Sequence, residues 1–231
     1  MVDEQIPLPI GLSDRLTFSN YIAGNNQHVL NNLIQYINEG KSGFLYLWGK
    51  TGTGKSHLLH ASCVEAAQIN KKPVYLPLSE FREMQSDIFL SMENQDLVCI
   101  DDINSIENNI AWEKSFFNLY NQLQEKQKLL IVTATTSPSG SAFELADIKS
   151  RLASGIIYHL VDLDDKQRLI VVKERARQRG FELSTEVLDY LGSRVARDLN
   201  SLLSWLDRLD EASLVTKRKI TVPLIRKLLN N

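Results

Sequence analysis

The chain has 231 residues, 43% hydrophobic and 23% charged, with a formal net charge of −2 at pH 7. It is too apolar for a disordered polymer, long enough for one full domain plus a smaller one, and not basic enough for a general nucleic-acid binder. No apolar run approaches the ~18–20 residues of a membrane span, so no membrane partner is expected. The start, Met1-Val2-Asp3-Glu4, is acidic where an export signal is basic, which predicts a cytoplasmic protein with Cys63 and Cys99 as thiols. The charge is uneven: residues 1–150 hold 11 Lys/Arg against 17 Asp/Glu, and residues 151–231 hold 15 against 11. A basic C-terminal part suits phosphates or an acidic protein face, although a solvated helix surface explains most such charges.

Residues 1–12 read as a flexible segment, because Pro7 and Pro9 oppose both helix and central strand. Thr17–Gly24 reads as turn-like. Val29, Leu30, Leu33, Ile34 and Ile37 recur at helical spacing over 26–39, and Gly40 ends that helix. Phe44–Trp48 is a short apolar run that reads as a buried strand. A glycine-rich turn and a helix over 54–69 follow. Further strands are expected at 73–78, at 97–100 ending on Asp101-Asp102, at 129–134 and at 155–160. Helices are expected after Ser79 and over 109–125. Strands alternating with helices imply an α/β core over 13–162, with a parallel sheet flanked by helices. From 163 to 231 only helical patterns occur, at 164–179, 184–191, 197–213 and 222–229, which predicts a small all-helical domain.

The strongest chemical signal is Gly49-Lys50-Thr51-Gly52-Thr53-Gly54-Lys55-Ser56, which fits G-x-x-x-x-G-K-[ST] between a predicted strand and a predicted helix. Backbone N–H groups of Gly49, Thr51, Gly52, Thr53 and Gly54 would curl around phosphates, helped by the positive end of the helix. Lys55 would reach the β- and γ-phosphates, and Ser56 would hold Mg²⁺. Asp101, closing an apolar strand, would anchor the same Mg²⁺, and strand and phosphate loop would lie side by side at the carboxyl edge of the sheet. Asp102 could orient a water. Thr135, at the end of the next strand, could contact the γ-phosphate. Arg151 could project into a neighbour's nucleotide site, or form an ordinary surface ion pair. Arg197 could reach the nucleotide from the helical domain, or pair with Asp198. His57 and His60 lie i, i+3 on the helix after the phosphate loop with no third ligand in view.

The segments GKTGTGKSHLLHA, LVCIDDI, IKSRL and VARDLNSLL, in this order and spacing, resemble the AAA+ module of the bacterial replication initiator DnaA. Thr17–Tyr21 with Gly24-Asn25-Asn26 is similar to the DnaA segment that packs on the adenine, which places Asn25 at the nucleotide. The resemblance implies a P-loop AAA+ core with a helical lid, binding ADP or ATP with Mg²⁺. It implies Arg151 as an arginine finger acting in trans, Thr135 at the sensor-1 position and Arg197 at the sensor-2 position. Thr135 stands where DnaA usually carries an acid, which implies weak hydrolysis of the protein's own ATP. The resemblance runs from about Leu16 onward and includes no counterpart of the helix-turn-helix with which DnaA reads DNA. This pattern is similar to the DnaA-homologous regulators of replication initiation.

Gln5-Ile6-Pro7-Leu8-Pro9-Ile10 is similar to the short peptides that bind the polymerase sliding clamp. Leu8 and Ile10 would enter an apolar cleft, Gln5 would make polar contacts and Pro9 would stiffen the peptide. The resemblance therefore implies DnaA and the clamp as partners, DNA met mainly through the clamp, and some homo-oligomer. The alternatives are a helicase-loader ATPase of the DnaC type, a transposition-helper ATPase that binds DNA, or a scaffold without a catalytic contribution.

Overall fold

The computed structural model describes residues 16–81, 86–194, 198–216 and 220–229. The chain forms an α/β unit and a helical unit. Of the described residues, the first gathers those up to Tyr21, in 27–50 and in 54–160, and the second gathers those from Val161 onward with Ile22–Asn26 and Thr51–Thr53.

In the α/β unit, β1 (Gly43–Trp48), β2 (Pro73–Pro77), β3 (Leu97–Asp101), β4 (Leu129–Ala134) and β5 (Ile156–His159) make one parallel sheet in the order β2-β3-β4-β1-β5. Helices α1 (Gln27–Asn38), α2 (Lys55–Gln68), α3 (Ile110–Glu125) and α4 (Ala146–Ser154) accompany it. Strands β3 and β4 are buried at every position, which explains why they read as continuous apolar runs up to Asp101 and Thr133 rather than alternating ones. Leu45, Leu47, Leu58 and Leu130 are wholly buried, each worth ~1.5–3 kcal/mol of hydrophobic stabilisation. Tyr46 is also buried, and its hydroxyl donates to the Thr136 carbonyl at 2.9 Å. Strand β5 lies at the sheet's edge and is half exposed. Cys63 and Cys99 are buried free thiols, and burial pushes the Cys99 thiol well above its usual range.

One expected helix is replaced and one helix was not expected. Between β2 and β3 the described residues form only short 3-10 turns (Leu78–Glu80, Ser86–Phe89 and Met92–Asn94), not the α-helix expected after Ser79. Leu78, Phe89 and Met92 are buried from these turns, so their apolar spacing serves packing without a helix. Helix α4 was not anticipated, because only Ile148 and Leu152 of its nine residues are buried. Two apolar positions are too few to raise a periodic signal.

The helical unit comprises α5 (Asp165–Gln178), α6 (Thr185–Arg194), α7 (Leu199–Thr216) and α8 (Val222–Leu229). Asp164 caps α5 in a capping box: its side chain accepts from the Gln167 N–H at 2.8 Å, and the Gln167 side chain accepts from the Asp164 N–H at 3.0 Å. Val172, Ala176, Leu188, Leu191, Leu202, Leu206 and Ile225 form its core. Among the described residues no helix is long and apolar enough to cross a membrane.

Candidate nucleotide site

The phosphate loop leaves β1 in register. The Gly49 N–H donates to the Ala134 carbonyl at 3.2 Å, extending the β1–β4 ladder by one residue. The chain then turns through Gly52 (φ 88°) and Gly54 (φ 87°), left-handed values that side chains resist. Gly54 is doubly required, because a Cβ there would lie 2.7 Å from the Tyr21 ring. Gly54 is also the N-cap of α2 and brings no side-chain acceptor. The first N–H groups of α2 thus have no side-chain cap, and such donors suit phosphate oxygens. Lys55 is buried, and its ammonium donates to the carbonyls of Gly49 and Lys50 at 2.8 and 3.0 Å. A cation folded over the loop, followed by the exposed Ser56, is a donor set that fits the β- and γ-phosphates with their Mg²⁺. Thr51 is exposed and Thr53 buried.

The segment Phe18–Asn20 forms a 3-10 turn against α2. The Tyr21 ring meets His57 edge-on at 5.1 Å, and His57 Nε2 donates to the Thr17 carbonyl at 2.9 Å. Asn25 is exposed. Its neighbour Asn26, not singled out from the sequence, is buried and forms a two-way bond with Val161: Nδ2 donates to the carbonyl and Oδ1 accepts from the N–H, both at 2.8 Å. An amide side chain that mimics a backbone pair has no sequence signature beyond being an Asn.

Asp101 does not stand on the strand next to β1. Strand β4 lies between them, so β3 is two strand spacings, ~10 Å, from β1. The inserted strand brings Thr133 to Asp101. The buried Thr133 hydroxyl donates a short hydrogen bond to Asp101 Oδ1 and accepts from the Asp102 N–H at 2.9 Å. The Tyr75 hydroxyl donates to Asp101 Oδ2 at 2.8 Å. Burial, then the Asp101 charge, push the Tyr75 phenol far above its usual range. Both oxygens of this carboxylate are therefore held by hydroxyls. Asp102 is left-handed (φ 55°), a conformation Asp tolerates. Thr135 lies just past β4, exposed, with its N–H donating to Asn104 Oδ1 at 3.1 Å. Tyr75 and Asn104 were missed, and Thr133 was read only as part of the polar end of its strand, because their roles depend on strand order.

His60 packs its ring on Tyr75 with centroids 4.0 Å apart, and burial lowers its pKa. Among the described residues no cluster of three His, Cys, Asp or Glu could hold a metal ion by itself. Nucleotide-bound Mg²⁺ needs no such cage, since phosphate oxygens and waters supply most of its ligands.

Arg151 lies on the exposed side of α4, remote in sequence from the phosphate loop. Its guanidinium sits over the rings of Phe117 and Tyr120 of α3, 5.9 and 5.7 Å from their centroids. Among the described residues no carboxylate comes within ion-pair distance of it. Arg197 and the Gln5, Leu8, Pro9 and Ile10 peptide lie outside the described residues.

A family model for the bacterial DnaA ATPase domain matches residues 12–159. The chain belongs to this DnaA family. A second model, described as the lid domain of Hda, matches residues 165–229 of this DnaA-family protein. An uncharacterized Haemophilus influenzae protein is 39% identical over 230 residues, 99% of this chain and all of that one. Among solved structures, domain III of Thermotoga maritima DnaA matches with a TM-score of 0.80 at 20% identity, over 91% of this chain and 94% of that one. AMPPCP-bound DnaA from Aquifex aeolicus matches with a TM-score of 0.72 at 22% identity, over 86% of this chain and 66% of that one. This chain thus spans about two-thirds of that DnaA's length. The fold is the AAA+ one: a five-stranded parallel sheet flanked by helices, with a helical lid domain.

Proposed function

We propose that this DnaA-family protein is a cytoplasmic negative regulator of replication initiation that promotes hydrolysis of ATP held by DnaA. The observation that carries the reading is Arg151, an exposed guanidinium cushioned on Phe117 and Tyr120 with no carboxylate among the described residues to neutralise it. A cation held this way stays available to an anion presented by another molecule. The match of residues 165–229 to the Hda lid supports DnaA as that molecule.

The protein's own site would hold ADP or ATP, as the AMPPCP-bound Aquifex DnaA supports. Gly49, Thr51, Gly52, Thr53, Gly54 and Lys55 would take the phosphates, Ser56 and Asp101 the Mg²⁺, and Asn25 and Arg197 the rest of the nucleotide. A bound nucleotide would supply the polyphosphate charge that these donors suit. Asp102 and Thr135 would direct any water in that site.

In the DnaA site, a water oxygen bonds to the γ-phosphorus and the bridging β–γ oxygen leaves with ADP, giving inorganic phosphate. Arg151 supplies positive charge as that bond breaks, a contribution worth ~10³–10⁵ in rate for arginine fingers. The peptide at Gln5, Leu8, Pro9 and Ile10 would tether the protein to the sliding clamp, so that it meets DNA mainly through the clamp.

The test follows ADP formation from DnaA loaded with labelled ATP, with clamp on DNA and either wild-type protein or Arg151→Ala. Acceleration by wild type alone, lost when Leu8 and Ile10 are both changed to alanine, supports the reading. Equal acceleration by Arg151→Ala, or none by wild type, refutes it. Tight single-stranded DNA binding with DNA-stimulated hydrolysis by the protein alone would instead favour a helicase loader.

A further inference from the structure

Glu113 is wholly buried on α3, and none of its chemistry belongs to the nucleotide site. Its Oε1 accepts from the N–H groups of Asn108 and Glu144 at 3.1 and 3.2 Å, and its Oε2 accepts from the Leu145 N–H at 2.9 Å. A buried carboxylate is costly unless such donors satisfy it. Leu145 is the N-cap of α4 and offers no side-chain cap of its own; Asp147 lies in the first turn, and Glu113 is the buried carboxylate that accepts the N-cap N–H at that helix's positive end. Asn108 takes a left-handed φ of 60° to present its N–H, a second sign that the loop is shaped around this carboxylate.

The same face of α3 holds the rest of α4. Glu113, Phe117 and Tyr120 follow one another at i, i+4 and i+7, one helical stripe. Phe117 and Tyr120 cushion the Arg151 guanidinium. The Tyr120 hydroxyl lies 3.0 Å from Ser154 Oγ, and that Oγ donates to the Arg151 carbonyl at 2.7 Å. Helix α4 is thus gripped at its start by an acid, at its middle by rings and at its end by a hydroxyl relay. Arg151 stands six residues, ~9 Å, beyond the Leu145 anchor. On the other side, Asn108 ties the acid to the loop that follows Asp101-Asp102, and the Ala142 N–H reaches Glu107 Oε1 of that loop at 3.1 Å.

We infer that Glu113 is a positioning residue for Arg151, fixing α4 against the loop after β3 so that the guanidinium is presented at one height. The inference rests on the finger reading of Arg151. Glu113→Gln keeps the shape, but an amide offers one acceptor oxygen where the carboxylate offers two, and it turns a donor toward backbone N–H groups.

The test measures ADP formation on DnaA against concentration of the regulator, with clamp on DNA. Glu113→Gln is expected to lower the maximal rate ~10–100-fold, the scale of a misplaced group, with its half-saturating concentration unchanged. Its own binding of fluorescent ADP should stay within ~2-fold of wild type. In an Arg151→Ala background, Glu113→Gln should change nothing further. Leu145→Pro is the second variant: it removes one donor to Glu113 without touching the carboxylate, and the native φ of −76° suits proline. It carries the comparison should Glu113→Gln lose ADP binding, and it should show the same fall in maximal rate. If Arg151→Ala is inactive while Glu113→Gln or a folded Leu145→Pro matches wild type, the positioning role is overturned and the finger reading survives. If Arg151→Ala matches wild type, the finger reading itself fails. If Glu113→Gln raises only the half-saturating concentration, Glu113 serves docking and the inference is wrong.

Discussion

Thr133→Val isolates what the inserted strand does for the acid at the end of β3. Valine has nearly the shape of threonine and suits a buried strand, so packing around this wholly buried position is retained. Two hydrogen bonds disappear: one donated to Asp101 and one accepted from the Asp102 N–H. A bond to a charged group contributes ~1.5–3 kcal/mol and a neutral one ~0.5–1.5, so the loss should be about 2–4 kcal/mol. At ~2–4 °C per kcal/mol for a chain of this size, the melting temperature should fall by about 5–15 °C. The Tyr75 bond remains, so Asp101 keeps one anchor and the variant should fold. Scanning calorimetry gives the first number. Titration of fluorescent ADP with and without Mg²⁺ gives the second: affinity should drop with Mg²⁺ present and hold in its absence. A melting temperature within ~2 °C of wild type, with unchanged Mg²⁺-dependent binding, would show that the Thr133 hydroxyl organises nothing.

Two further outcomes follow from local geometry. Gly54→Ala combines a left-handed φ of 87° with a Cβ 2.7 Å from the Tyr21 ring, so it should abolish ADP binding. Adding Tyr21→Ala should recover only part of it, because the backbone strain remains; full recovery in calorimetric titration would place the whole defect in the clash. His60 is held below its ordinary value of 6.5 by burial, so the unfolded chain binds its proton more readily than the folded one. Its contribution to stability is present above pH 6.5 and is lost as the pH falls through the lowered folded value. Urea midpoints measured between pH 7.5 and 5 should fall less steeply in His60→Gln than in wild type, and identical slopes would discount this histidine.

The phosphate loop, the strand before it and the acid pair at the end of β3 were legible in the sequence because each is a local pattern. A strand followed by Gly49–Ser56 and a helix is one continuous stretch whose backbone conformation its own glycines specify. The four lid helices were legible through helical periodicity, and the structure adds the Asp164–Gln167 capping box that starts the first of them. Bounds shifted by one to three residues, as at α6 and α7, because ends depend on caps and neighbours.

Tertiary structure alone decided the strand order. Parallel pairing joins residues far apart in the chain, and apolar runs such as β3 and β4 are interchangeable as sequence. That order sets Thr133 rather than the phosphate loop beside Asp101, and it converts Tyr75 from a strand aromatic into a ligand of a carboxylate. Glu113 shows the limit most clearly. In the sequence it is one acid in the first turn of an amphipathic helix, indistinguishable from a solvated one. Only the approach of the chain at Asn108 and at Glu144-Leu145 surrounds it with donors. Arg151 was visible as a residue, but its pairing was not: whether a surface arginine meets a carboxylate or an aromatic face is settled by the helix it packs on, here α3. Sequence determines what short-range backbone chemistry permits, and the buried polar partners that give those residues their roles arise from contacts across tens of residues.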